Sequence, residues 1–95
     1  MKNGLIISHF GNKYYYLNDK YHRENGPAVI RWNGDKEWWL YGLPHRENGP
    51  AKIYKASCSH KTLKYWYLHG EQVYCKNQQE FEKFKMEYKT KLIFS

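Results

Sequence analysis

The sequence predicts a mainly β protein: an antiparallel meander of repeated β-hairpins, about six to seven strands, with one C-terminal α-helix packed on one face. Three observations carry that reading. The heptapeptide His-Arg-Glu-Asn-Gly-Pro-Ala occurs twice, at His22–Ala28 and His45–Ala51. Aromatic residues make up 19% of the chain, including ten Tyr and four Trp, and rings of this kind favour a pleated, half-buried surface. Only beyond Cys75 does the apolar spacing turn from strand-like to helical.

The repeat comes first, because it fixes the units. Setting Gly11–Asn33 against Gly34–Ala56 gives 11 identities in 23 positions, including the whole heptapeptide. One domain over residues 1–95 is expected, with units at about 11–33, 34–60 and 61–75 and a helix at about 77–90. Within each unit the chain alternates between runs such as Lys13–Leu17 and turn residues such as Asn18-Asp19, which tolerate positive φ. Asn33-Gly34 is the strongest two-residue hairpin signal, and Gly42-Leu43 and His69-Gly70 read as the turns of the later units. Within the heptapeptide, Gly26 and Gly49 permit a kink, while Pro27 and Pro50 cannot donate to a ladder. The motif therefore reads as a bulge between two strand pieces, with His22, Arg23, His45 and Arg46 as structural residues. Arg would pair Glu across the kink and His would pack on a ring. Leu40 to Leu68 is 28 residues where Leu17 to Leu40 is 23, so a five-residue loop extension is expected at Ala56–Thr62.

Asn77 with Glu80 three positions later is a helix-start signature, and Phe81, Phe84, Tyr88 and Leu92 then form one apolar stripe. The helix reads as a lid on the sheet.

Strand parity divides the remaining side chains between two faces. Tyr15, Leu17, Trp38, Leu40, Trp66 and Leu68, with Ala28, Ile30, Ala51 and Ile53, form an apolar set expected under the helix. Tyr14, Tyr16, Trp39, Tyr54, Tyr65 and Tyr67 fall on the other face with Arg31 and Lys52, and Lys36 is grouped with them as a binding residue. Rings interleaved with cations suit a protein partner or a flexible polyanion, so these nine residues are the candidate binding site.

The pattern Gly34 to Ala51, with Trp38-Trp39-Leu40-Tyr41-Gly42-Leu43-Pro44-His45-Arg46-Glu47-Asn48-Gly49-Pro50-Ala51 at its centre, resembles the HRxxGPA repeat of bacteriophage and giant-virus proteins. That repeat is itself similar to MORN-type repeats and to their YwqK-type antitoxin variant. The resemblance covers about residues 5–75 and is specific for the hairpin repeat. It implies an interaction scaffold. Arg46-Glu47-Asn48 between His45 and Gly49 departs from the MORN pattern, so the lipid binding ascribed to MORN arrays is not carried over.

The net charge of +7 admits nucleic acid as a partner. No apolar run reaches the roughly 18 residues of a membrane span, and the N-terminus is too short for a secretory signal, so a cytoplasmic protein with reduced thiols is expected. Cys58, His60, His69 and Cys75 match no common zinc spacing, and a Cys58–Cys75 disulfide does not suit that compartment. No metal, cofactor or catalytic residue is expected, since two identical His-Arg-Glu copies lack the differentiated environments of an active site. The expected function is a small non-enzymatic phage accessory protein that binds and modulates a host protein, such as a defence or regulatory factor. The alternatives are nucleic-acid binding by the same face, and an antitoxin-like neutraliser.

Overall fold

A computed structural model describes the backbone of residues 1–55 and 61–94, and the side chains of these up to residue 87. The expected loop extension and the Cys58 and His60 positions lie largely or wholly outside the described residues. The strands are β1 (Gly4–Ile7), β2 (Lys13–Leu17), β3 (Lys20–Tyr21), β4 (Val29–Ile30), β5 (Lys36–Glu37), β6 (Trp39–Leu40), β7 (Leu43–Pro44), β8 (Lys52–Lys55), β9 (Thr62–Leu68) and β10 (Glu71–Val73), and the helix is α1 (Gln78–Phe94). An eight-stranded sheet runs β1-β2-β4-β5-β8-β9-β10 with β3 pairing β2, and β6-β7 forms a separate two-stranded sheet. Every pairing is antiparallel. The mainly β architecture with one C-terminal helix is thus observed, and the strand segments are numerous because each heptapeptide interrupts an arm of its hairpin. The whole is a plate, 47 × 38 × 17 Å.

Two kinds of turn alternate along it. The hairpin tips Asn18-Asp19, Tyr41-Gly42 and His69-Gly70 each place two successive residues at positive φ, the conformation whose twist matches paired strands. The second unit's turn therefore lies one residue earlier than Gly42-Leu43. Tyr41 accepts a left-handed backbone at φ 50° because its N–H and its ring are both held, as described below. At the opposite ends, Gly11 and Gly34 close three-residue loops: Gly34 N–H donates to Arg31 O at 2.9 Å, and Arg31 N–H donates to Asp35 O at 2.9 Å. Only Gly34 is left-handed in its loop, so Asn33-Gly34 is not a two-residue turn. Asn33 Oδ1 instead accepts the Asp35 N–H at 3.1 Å.

The heptapeptide is a clasp between successive hairpins. His22 Nδ1 accepts the N–H of Tyr41 at 3.0 Å, and His45 Nδ1 accepts the N–H of His69 at 2.9 Å. The residue before each His offers its carbonyl to the second turn residue, Tyr21 O to Gly42 N–H and Pro44 O to Gly70 N–H, both at 2.9 Å. The residue after it donates back: Arg23 N–H to Trp39 O at 3.1 Å and Arg46 N–H to Tyr67 O at 3.2 Å. Each imidazole also lies against a ring of the tip, His22 on Tyr41 and His45 on His69, with centroids 4.3 Å apart in both cases. The first tip is held in the same way by the N-terminus, Asn18 N–H donating to Asn3 Oδ1 and Asp19 N–H to Lys2 O.

The motif arginines do not pair with Glu. Arg23 stacks its guanidinium 4.0 Å over the Tyr15 ring, and Arg46 stacks 3.7 Å over Trp38. Their Nη1 atoms donate to Pro27 O and Pro50 O at 3.2 and 3.1 Å, which folds the kink back on itself. Guanidinium is planar, charged and weakly hydrated, so it covers a ring and satisfies a carbonyl together, where a carboxylate partner would satisfy only the charge. The glycine is needed for that approach: a Cβ on Gly49 would stand 2.9 Å from Arg46 Cζ.

This changes the role of the helix. Tyr15, Trp38 and Trp66 occupy one position in three successive units, and the first two carry an arginine. The third unit has no heptapeptide, and there Phe81 packs on Trp66 with centroids 6.3 Å apart while Trp66 Nε1 donates to Gln78 Oε1 at 2.8 Å. Trp66, Leu68, Val73 and Phe81 make the hydrophobic core cluster. The helix is therefore packed on the last unit of the expected face, where it replaces the missing arginine as a terminal cap. Asn77 Oδ1 accepts the Glu80 N–H at 2.9 Å, as the sequence implied, and Glu80 accepts the Lys76 N–H at 2.7 Å. Phe81 is fully buried and Phe84 is 41% exposed, so the described part of the stripe is narrow. Lys85, one turn after Phe81, donates to the Glu47 carbonyl at 2.6 Å and ties the cap to the second clasp.

Two outcomes follow from these contacts. Phe81→Ala is expected to cost about 3–5 kcal/mol, since it empties the centre of the core cluster, and urea denaturation measures it. Burial, and secondarily the His69 ring, hold the His45 pKa below its ordinary value. A histidine kept neutral in the fold contributes stability above the unfolded pKa of about 6.5 and loses it as pH falls further. Between pH 7.5 and 5.5 the wild type should lose more stability than His45→Gln, read as the shift in urea midpoint; an equal loss in both would contradict the neutral clasp.

Candidate binding face

Pairing register places the binding residues. Ile6, Tyr14, Val29, Glu37, Lys52 and Tyr65 form one continuous cross-strand row. Tyr16, Tyr54 and Tyr67 stand two residues along their strands from members of that row and so share its face, while Arg31 and Trp39, just outside β4 and β5, join it by bonding Glu37. Eight of the nine expected residues are thus brought together. Lys36 is not: it pairs with Ile30 and Ile53, and so belongs to the opposite face. Its neighbour Glu37 takes the ring side, because adjacent strand residues cannot point the same way.

Glu37 organises the face. It is 5% exposed and accepts three hydrogen bonds: Tyr54 OH at 2.7 Å, Arg31 Nη1 at 2.9 Å and Trp39 Nε1 at 2.9 Å. Burial alone would raise the Glu37 pKa, but the bonds from Tyr54, Arg31 and Trp39 and the charge of Arg31 outweigh it and hold the carboxylate below its ordinary range. The same bond works in reverse on its partner: burial first, then the carboxylate, push the Tyr54 hydroxyl well above its ordinary value. Three polar tips that looked available for a ligand are thereby committed inside the protein.

The rings around this centre touch one another. Tyr14 and Tyr21 stack with centroids 5.9 Å apart, Tyr16 lies 5.3 Å from Tyr21, and Tyr21 meets Trp39 edge-on at 5.4 Å. On the far side Tyr54 and Tyr65 are 5.9 Å apart. Lys52 bridges the two groups, its ammonium 5.2 Å from the Trp39 ring and 4.9 Å from Tyr67. Burial raises the pKa of Tyr21 and Tyr67, so both present neutral hydroxyls. The result is a half-exposed field of rings with Lys52 set into it, Lys2 at its edge with its ammonium 5.1 Å from the Tyr16 ring, and Arg31 neutralised.

Two of these roles were not read from the sequence. Tyr21, directly before the first motif, is the ring that joins Tyr14 and Tyr16 to Trp39. The sequence signal for Glu37 is an acid placed among rings six residues from Arg31, across a hairpin.

On the other face, a groove of about 400 Å³ lies between the two clasps. Its arginines are committed to rings and proline carbonyls, leaving Glu24, Asn25, Glu47 and Asn48 along the walls. Cys75 is half-buried near the helix start, and burial, then Glu80, raises its thiol pKa, which disfavours the reactive thiolate. No helix among the described residues is long and apolar enough to cross a membrane.

No family model, curated protein or solved structure matches the chain.

Glu37→Gln is expected to cost about 1–3 kcal/mol at pH 7, because it weakens three buried hydrogen bonds and leaves Arg31 without its counter-charge. A carboxylate whose pKa is depressed in the fold contributes stability above the unfolded pKa and loses it as pH falls through the folded one. The gap between wild type and variant should therefore narrow below about pH 4.3, a comparison that urea titrations across pH can make.

Proposed function

We propose that this is a small non-enzymatic accessory protein that binds and modulates another protein through the ring face. The observation that carries the reading is the continuous field of half-buried rings, Tyr14, Tyr16, Tyr21, Trp39, Tyr54, Tyr65 and Tyr67, fixed by their mutual contacts and by Glu37. Such a surface offers large apolar area with hydroxyl tips, and its rings are already held before a partner arrives, so little side-chain entropy is lost on binding. The charge on this face is modest, which suits a protein partner better than a polyanion. The nucleic-acid alternative for the ring face has less support, since Arg31 is paired with Glu37 and Lys36 points away.

The resemblance to the viral HRxxGPA repeat suggests a phage-type origin, and with it a host protein, such as a defence or regulatory factor, as the target in the host cytoplasm. An antitoxin-like neutraliser would use the same face against a toxin, and differs only in the partner. Neither version contains a catalytic step.

The test uses immobilised protein and lysates of candidate bacterial hosts, with bound proteins quantified by mass spectrometry. Wild type and a control altered on the opposite face, Lys20→Gln, should retain the same protein. Tyr16→Ala/Tyr67→Ala, checked for folding by circular dichroism, should lose it. Equal retention by the double variant would refute the ring face as the binding surface.

A further inference from the structure

The face opposite the rings carries a second, ordered feature. Pairing register aligns Ile7, Lys13, Ile30, Lys36, Ile53 and Lys64 in one row across six strands. The lysines fall on β2, β5 and β9, with one strand carrying an isoleucine between each pair. Strands lie about 4.8 Å apart, so successive lysines are anchored at about 10 Å intervals along the row. All three are exposed, and among the described residues none forms an ion pair. Lys55 adds a fourth cation at the same end of the face, its ammonium lying 3.1 Å from where a Cβ on Gly34 would be.

The three lysines are one position of the repeat. Aligning Gly11–His22, Gly34–His45 and Thr62–Val73 leaves only two positions identical in all three units: Lys13/Lys36/Lys64 and Leu17/Leu40/Leu68. The leucine is buried or half-buried in every unit, and packing accounts for it. The lysine is exposed in every unit, so packing does not. The third unit has lost the heptapeptide and both turn-closing loop residues of the first two, yet it keeps this ammonium.

We propose that Lys13, Lys36 and Lys64 bind the phosphate backbone of double-stranded nucleic acid. A row of evenly spaced cations across a paired sheet suits a regular polyanion, and the protein's net charge of +7 favours its approach. Isoleucines between the cations can lie against sugar edges. Stacking on unpaired bases is disfavoured beside the row, because Tyr15, Trp38 and Trp66 are already covered by Arg23, Arg46 and Phe81. The row therefore reads backbone and not sequence. It stands independently of the ring face, on the other side of the sheet.

Fluorescence anisotropy with a labelled mixed-sequence duplex tests this, with salt varied between about 50 and 200 mM. Three phosphate contacts predict a slope of log affinity against log salt of about −3, and Lys36→Gln should reduce its magnitude by about one. Lys36→Arg should keep the wild-type slope, and Tyr16→Ala/Tyr67→Ala should bind the duplex as wild type does. A matched single strand should bind more weakly than the duplex. The proposal is overturned by any of four results: no binding at low salt, a slope that Lys36→Gln and Lys64→Gln leave unchanged, preference for the single strand, or binding to phosphatidylserine vesicles without binding to duplex.

Discussion

The structure depends on one hydrogen bond made twice, from the N–H of a left-handed turn residue to the Nδ1 of the histidine in the unit before. A hairpin tip exposes N–H groups that its own strands cannot satisfy, and the helix, packed on the last unit at Trp66, is not what supplies their acceptors. The histidine supplies one, and the carbonyl just before it supplies another. Because Nδ1 accepts, the proton resides on Nε2, and the ring orientation is fixed by the tip it lies against. Each clasp thus joins a kink to the next hairpin, and the array is a chain of nearest-neighbour contacts with no single central core.

Arginine solves the companion problem. A plate 17 Å deep leaves the rings of its lower face open to water unless something covers them. In two units the covering group is a guanidinium held by its own kink; in the third it is Phe81 on a helix. The tip of the third unit is already held by His45 of the second, so what that unit lacks without its own heptapeptide is the cover, and the helix supplies it.

Much of this was legible in the sequence, and for identifiable reasons. The repeat, the hairpin alternation and the helix start are signalled by local chemistry: Gly and Pro at fixed offsets, ring-rich runs of five residues, Asn77 before Glu80. The face division also followed from parity, which is why Tyr14, Tyr16, Trp39, Tyr65 and Tyr67 emerged together. What failed were inferences about partners across space. Arg23 and Glu24 are adjacent in sequence, which suggested a pair, but the kink turns the guanidinium back over Tyr15 and leaves Glu24 nearer His22, at 3.8 Å. Lys36 was assigned by its neighbourhood of rings and not by its parity, and the register corrected it. The clasp itself could not be read at all, since it joins residues 19 and 24 positions apart.

Register is what makes the two faces separate surfaces. Lys36 and Glu37 are neighbours, and so are Lys13 and Tyr14, and Lys64 and Tyr65; in each pair one side chain belongs to the lysine row and the other to the ring row. A slip of one residue in any strand would set a lysine among the rings and a ring among the lysines. Hydrophobic burial alone cannot prevent such a slip here, because neither face is strongly apolar and both are partly exposed. The clasps can, since each fixes the tip of one hairpin against a named atom of the previous unit, and a shifted strand would lose all of its donors together. The conformation of a surface loop motif thereby decides which chemistry each side of the sheet presents.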